Sequence, residues 1–409
     1  MRLARQLASM TAALLAACGG AGDTTSPPPA PPPPPPPPAA QVTAASSVPI
    51  AANYGIHDTY VRDGLAFVSA WNTGMIIYDV GNGIRAGAPG SPVEVSRIVT
   101  SADGVPGGPQ VHNSWWFHDP ATGTNRYLFI GQEGPGAIGT QSSGDIHVVD
   151  VSDLSAPKEV AFYHMPAVNG DSAGTHNFWM DEPAGILYAA YYNGGVVALN
   201  VSGTLSGDLT SRVIATARPG TPTDSTYVWG VQLYNGSLYA TDMLNGLYQL
   251  RLSGRSFVTL AGGHNVRARF SSDLWVANGY AYTGTWNTRG VIAGNVLNIW
   301  RLDASGAPQL ADSLVLPGVG TVSDDEVSAD GKYLLVTAER GTDAAEGLYL
   351  YSLADPVKPA LLAFHAEPGP GGGLHTGTFA TIGGKRYVFA ARNPASPALE
   401  IYDVSAVAP

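Results

Sequence analysis

The sequence predicts an all-β fold, a seven-bladed β-propeller. Two observations carry that prediction: a hairpin plan that recurs seven times, and a composition suited to many short strands. The chain has 409 residues, of which 50 are glycine, 44% are hydrophobic and only 13% are charged. Turn-rich, weakly charged chains with period-2 alternation build small antiparallel sheets, and no long amphipathic helical pattern lies between the repeats.

The seven hairpins are "GLAFVSAWNTGMIIYDV" from 64, "NRYLFIGQE" from 125 with "GDIHVVDV", "GILYAAYYNGGVVALNV" from 185, and "GSLYATDMLNGLYQLRL" from 236. They continue with "GYAYTGTW" from 279 with "VLNIWRL", "GKYLLVTAERG" from 331 with "GLYLYSL", and "KRYVFAAR" from 385 with "LEIYDV". Their starts are 43 to 61 residues apart, the length of one four-stranded blade. An inner strand precedes each hairpin, as in "HDTYVRD" or "WGVQLYN", and an outer strand follows, as in "PKEVAFYHM" or "KPALLAFHA". The last hairpin lacks an outer strand, because the chain stops at "IYDVSAVAP". The orphan segment "QVTAASSVPIAA", residues 41–52, is expected to complete the seventh blade and remove an open sheet edge.

The N-terminal region reads as an address and a spacer. Residues 1–18 form a lipoprotein-type signal peptide, with Arg2 and Arg5 ahead of the apolar run "LASMTAALLAA", which is too short to span a bilayer. The run ends in "LAAC", which resembles a bacterial lipobox. That resemblance implies cleavage before Cys18, lipidation of Cys18 and attachment to the lipid bilayer. Gly19 in the following position points to the outer membrane. Residues 19–40 form a disordered Pro-rich tether holding eleven of the 32 prolines. As a polyproline II rod, its twelve-residue core spans roughly 37 Å. Residues 41–409 are then the propeller. Cys18 is the single cysteine, so the propeller has neither disulfides nor thiolate metal ligands. A net charge of −11 argues against nucleic acid as a partner.

"IHVVDVSDLSAPKEVAFY", residues 146–163, and its echo "LYLYSLADPVKPALLAFH", residues 348–365, resemble the LVIVD repeat of bacterial secreted and lipid-anchored propellers. The resemblance implies the architecture and leaves function open, since propellers host binding, scaffolding and catalysis.

Functional candidates come from the start of the inner strands. "IHDTYV", "QVHNSWW", "GTHNFWM" and "LHTGTF" each place a histidine there, and the repeat alignment groups His57, His112, His176, Trp229, Ser272, Asp324 and His375 in one ring. Because blade seven abuts blade one, the four histidines fall on four consecutive blades, with Asp324 alongside. Such an arc suits a transition metal, copper before zinc or iron, with His57, His112, His176, His375 and Asp324 as ligands. Asp58, Asn113, Asn177 and Asp273 are expected to orient those rings or, with Trp229, to wall a ligand pocket. Nitrous oxide reductase and the selenium-binding methanethiol oxidases are similar in being seven-bladed propellers with hub histidines that implicate copper. Two other readings stand beside the metal: inter-blade hydrogen bonding, and a metal-free pocket for an organic ligand. His118, His147, His164, His264 and His365 fall at turns or outer positions and read as structural. Trp71, Trp115, Trp116, Trp179, Trp275, Trp286 and Trp300 are expected to pack between blades.

Three local patterns lead elsewhere. "GDSAG" at 170–174 matches a serine-hydrolase pattern but lacks the strand-to-helix turn that would strain Ser172. "GNGIRAG" at 81–87 has the wrong spacing for a dinucleotide loop and reads as a turn. "SDDEVSADG" at 323–331 lacks the ligand order of a calcium loop. The expected function is a membrane-anchored, monomeric binding or scaffold module with a His-rich channel mouth, facing a small ligand or an envelope protein. The alternative is a copper-type redox enzyme with the same ligands.

Overall fold

The computed structural model describes residues 42–50, 55–100, 110–134, 142–220, 225–263, 269–287, 293–369, 372–392 and 396–409. The expected signal peptide, tether and Cys18 lie outside the described residues.

Seven antiparallel sheets follow one another along the chain. Blade one consists of Asp58–Arg62, Leu65–Ser69, Met75–Asp79 and Val93–Ile98, and each later blade repeats this order from the axis outward. The inner strands of blades two to seven are Val111–Asp119, Phe178–Asp181, Val228–Tyr234, Phe270–Ala277, Thr321–Val327 and Thr376–Ile382. Each inner strand touches the next, and that of blade seven touches that of blade one, so the ring closes. Among the described residues, the 3-10 turn Thr210–Arg212 is the one helical element.

Turn chemistry begins most blades. Asp63-Gly64, Asn235-Gly236, Asn278-Gly279 and Gly383-Gly384 all have positive φ at both centres, the requirement of a type I′ hairpin turn. The hairpins themselves are buried on both sides. In blade one, Leu65 and Phe67 pack with Trp116, Leu128 and Ile130 of blade two, while Ala66 and Val68 pack with Tyr387, Phe389 and Ile401 of blade seven. Alternate residues of one strand thus serve two inter-blade cores, which explains the near-continuous apolar runs.

The closing strand forms as expected. Thr43–Pro49 pairs antiparallel with Ala398–Asp403, from Thr43 opposite Asp403 to Pro49 opposite Ala398, and becomes the outer strand of blade seven. Blade two carries an additional short strand, Gly207–Asp208, parallel to Lys158–Tyr163, which covers its outer edge.

The loop "GNGIRAG" is a turn wound around one carboxylate. The buried Asp79 accepts from the backbone N–H groups of Gly81, Asn82, Gly83, Arg85 and Gly87 at 2.7 to 3.2 Å. Burial alone would raise its pKa, but these donors favour the ionised form and bring it to about 2. A depressed carboxyl pKa contributes stability that is present above the unfolded value and disappears as pH falls through the folded one. Asp79 therefore contributes about 2 kcal/mol at neutral pH, lost between about pH 4 and 2. Asp79→Asn is expected to lower stability by about that amount and to flatten the acid limb of a denaturant-midpoint against pH curve. A variant whose acid limb matches wild type would remove the loop from the stability argument.

Candidate functional site at the channel hub

The inner strands bring three stacked rings of side chains to the axis. A bulge at the mouth of blades two, four, five and six, between Val111 and Asn113, Val228 and Gly230, Ser271 and Leu274, and Val322 and Asp324, lets adjacent residues both face the hub. The mouth ring is His57, His112, His176, Trp229, Ser272, Ser323 and His375. Asp324 belongs one residue deeper than the sequence alignment placed it: it pairs with Thr337 as Asp58 pairs with Ser69, Asn113 with Gly131 and Thr376 with Ala391. The bulge at Ser323 absorbs the difference. The second ring is accordingly Asp58, Asn113, Asn177, Gly230, Asp273, Asp324 and Thr376. The third is Tyr60, Trp115, Trp179, Gln232, Trp275, Glu326 and Thr378.

The four mouth histidines come together as an arc. His57 and His112 have ring centroids 3.8 Å apart, His112 and His176 4.0 Å, and His57 and His375 4.2 Å. Nε2 of His375 lies 2.8 Å from Nε2 of His57, so one donates to the other. Nδ1 of His375 lies 3.1 Å from Oε1 of Glu339. By contrast, Nδ1 of His57, both nitrogens of His112 and Nδ1 of His176 are buried without a hydrogen-bond partner. Inter-blade contacts hold the rings only in part: His57 pairs with His375, and the backbone of His112 and of Trp229 stabilises the charged forms of His57 and His176. Trp229 closes the arc, 4.1 Å from His176 and 5.2 Å from Trp286, and lies in an aromatic cluster with Tyr192 and Met243 rather than on the cavity wall.

The turns between the second and third strands supply groups that sequence reasoning missed. Glu133 follows the second strand of blade two and accepts from Tyr192 Oη at 2.6 Å. His57, His112 and Glu133 each offer one ligand atom, all within 4.8 Å of one another. Trp71 stacks on His57 at 5.4 Å, and Arg340 lies 4.7 Å over the Trp286 ring. Trp71, Tyr192 and Arg340 all hold φ between 35° and 58°, a region uncommon for side chains of this size. Such strain clusters at sites where geometry is over-determined.

Electrostatics divide the hub. Burial drives the His57 and His176 pKa values well below the ordinary range and that of His112 to about 3, each helped by a neighbouring imidazole. Burial would also lower His375, but the Glu339 carboxylate outweighs it and the net shift is upward. Deeper in the channel, burial raises Asp58 and Asp324, with Asp273 reaching about 7 and Glu326 about 8. Asn177 bridges to Asp273 through Nδ2, 2.9 Å from each carboxylate oxygen. This bond joins blade three to blade five. Gly230 of blade four permits it, since a Cβ there would sit 3.1 Å from Oδ1 of Asp273.

Asp58, Asn113, Asn177 and Asp273 line a cavity of about 200 Å³ together with Asp324 and the third ring. Trp115, Trp179 and Trp275 are on its wall and also pack against inter-blade cores, as expected, while Trp116 and Trp300 are within such cores. Their signal was the spacing H-N-x-W in blades two and three, H-D-x-Y in blade one and S-D-x-W in blade five, one residue for each ring. His118, His147, His164 and His365 each lie beside a carboxylate, at 2.6 to 3.6 Å. His264 lies outside the described residues.

The LVIVD repeat family model matches residues 141–164, which include the third and fourth strands of blade two. Within that match, the Asp153 carboxylate accepts from Ser155 N at 2.9 Å, as Asp355 accepts from Val357 N at 3.0 Å in the echo. A search of the curated proteins finds no match. Fold and repeat together define the class: this chain is a seven-bladed β-propeller that carries an LVIVD repeat in blade two.

The neutral mouth imidazoles have a pH consequence. Below pH 6.5 the unfolded chain takes up protons that His57, His112 and His176 do not, so stability falls as pH drops from about 6.5 toward 3. His375 acts with the opposite sign: its stabilisation is present in acid and lost as pH rises through its folded pKa. His112→Gln is expected to show a shallower loss of denaturant midpoint between pH 7 and 4 than wild type. Superimposable curves would mean that His112 is protonated in the fold.

Proposed function

We propose that this propeller is a binding module of the cell envelope whose hub holds a divalent transition-metal ion. The observation that carries the reading is the set of buried imidazole nitrogens without partners on rings kept neutral, beside the Glu133 carboxylate. Neutral imidazole is the ligand form, and leaving such nitrogens unpaired is unfavourable unless something occupies them. His57, His112 and Glu133 are the nearest ligand set, with His176 adjacent. His375, held by Glu339, serves as the second-layer partner that fixes the His57 ring. Two imidazoles and a carboxylate suit zinc, iron or copper, and Glu133 takes the carboxylate place in this set that sequence analysis assigned to Asp324. A metal there supplies a Lewis-acidic or redox centre facing the channel.

Localisation rests on the sequence. The "LAAC" run, the proline stretch and Gly19 support a lipid-anchored protein displayed from the outer membrane through Cys18. [3H]palmitate labelling that persists in a Cys18→Ser variant would remove the anchor from the proposal.

The metal reading is tested by elemental mass spectrometry on the full chain purified without an affinity tag. Near-stoichiometric zinc, iron or copper is expected, falling at least tenfold in His57→Ala/His112→Ala with the circular dichroism spectrum unchanged. A wild-type protein that stays metal-free after reconstitution with each of the three ions overturns it.

A further inference from the structure

The cavity has His57 and His112 on its wall at the mouth and a chemistry of its own below them. Four aromatic rings stand in sequence around one side: Tyr60 and Trp115 have centroids 5.3 Å apart, Trp115 and Trp179 5.4 Å, and Trp179 and Trp275 6.0 Å. All four are half-buried and all line the cavity. Asp58, Asp273, Asp324 and Glu326 line it as well, and among its described lining residues none is Lys or Arg.

Those carboxylates have neutral donors only. Asp58 accepts from Thr59 N at 2.8 Å, Asp324 from Gly377 N at 2.8 Å, Glu326 from Phe379 N at 3.3 Å, and Asp273 from Asn177. Asp273 and Asp324 also hydrogen-bond each other, the His375 charge acts on Asp58 and Asp324, and burial raises Asp273 to about 7 and Glu326 to about 8, so this wall holds protons that a bound cation would displace. An inorganic cation would use the oxygens and gain little from four aromatic faces. An alkylated ammonium uses both, since its diffuse charge is attracted to the ring faces and its alkyl surface is buried against them.

We propose that the channel cavity is a binding site for a small alkylammonium ion, held between the Tyr60, Trp115, Trp179 and Trp275 rings and the acidic wall of Asp273, Asp324 and Glu326. The site does not depend on metal at the mouth. A volume of about 200 Å³ limits the ligand to a small molecule.

The test is calorimetric and fluorescence titration of the full chain, treated with chelator, using choline and tetramethylammonium as probes. The neutral choline isostere 3,3-dimethylbutan-1-ol and calcium serve as controls. Both ammonium ions are expected to bind saturably and to change tryptophan emission, with dimethylbutanol at least about tenfold weaker. Trp179→Leu and the isosteric Glu326→Gln are each expected to weaken choline about tenfold, with thermal unfolding confirming that both variants fold. Equal affinity for the neutral isostere, wild-type affinity in Glu326→Gln, or a response to calcium with none to either ammonium ion overturns the proposal. Choline binding by the chelator-treated chain is expected to persist unchanged when zinc is restored, and binding that appears only with zinc would place the ligand at the metal hub instead.

Discussion

Closing seven sheets into a ring forces seven inner strands against one axis, and the rest of the molecule follows from that crowding. Backbone carbonyls at the hub face the next blade instead of water and need donors there. The chain supplies hydroxyls: Thr59 donates to the Phe389 carbonyl, Ser272 to Val322, Thr337 to His375 and Thr376 to His57. Each bond crosses a blade boundary. Three of the four involve the seventh blade, which Thr43–Pro49 completes at the rim.

The same crowding sorts the hub chemically. Bulges in four blades turn two successive residues toward the axis, which lets imidazoles form the mouth while carboxylates and amides form the layer below. Aromatic side chains come next, two residues further along each strand. Neutral imidazoles, uncompensated carboxylates and ring faces are thereby stacked along one channel. Groups that would neutralise each other in water are largely held in separate layers, and at the mouth Glu339 pairs with both His375 and Arg340.

Function is carried by positions where blades differ. Blade four has Trp229 and Gly230 where blade two has His112 and Asn113, and that glycine gap is what lets Asn177 reach Asp273 across it. Blade six has Ser323 and Asp324. Repetition builds the scaffold, and departures from it shape the hub into an asymmetric site, with the histidines on blades seven, one, two and three and Asp273, Asp324 and Glu326 on blades five and six.

Much of this was legible in the sequence. The Asp-Gly, Asn-Gly and Gly-Gly turns, the seven hairpins, the missing outer strand and the histidine spacing are local or periodic features, and local backbone preference with period-2 burial is enough to place them. The register at Asp324 was not legible, because a bulge inserts a residue without changing the alternation on either side. Glu133, Glu339 and Arg340 were invisible as site residues for a different reason. They sit on turns whose approach to the histidines depends on how neighbouring blades lean together. The tryptophans of H-N-x-W read equally well as blade packing until the axis was located. Sequence by itself determined the strands, their order and the closure, since those depend on residues near one another or on a count of repeats. Tertiary structure alone decided which side chains share the channel, because that is set by contacts between residues 50 to 319 positions apart.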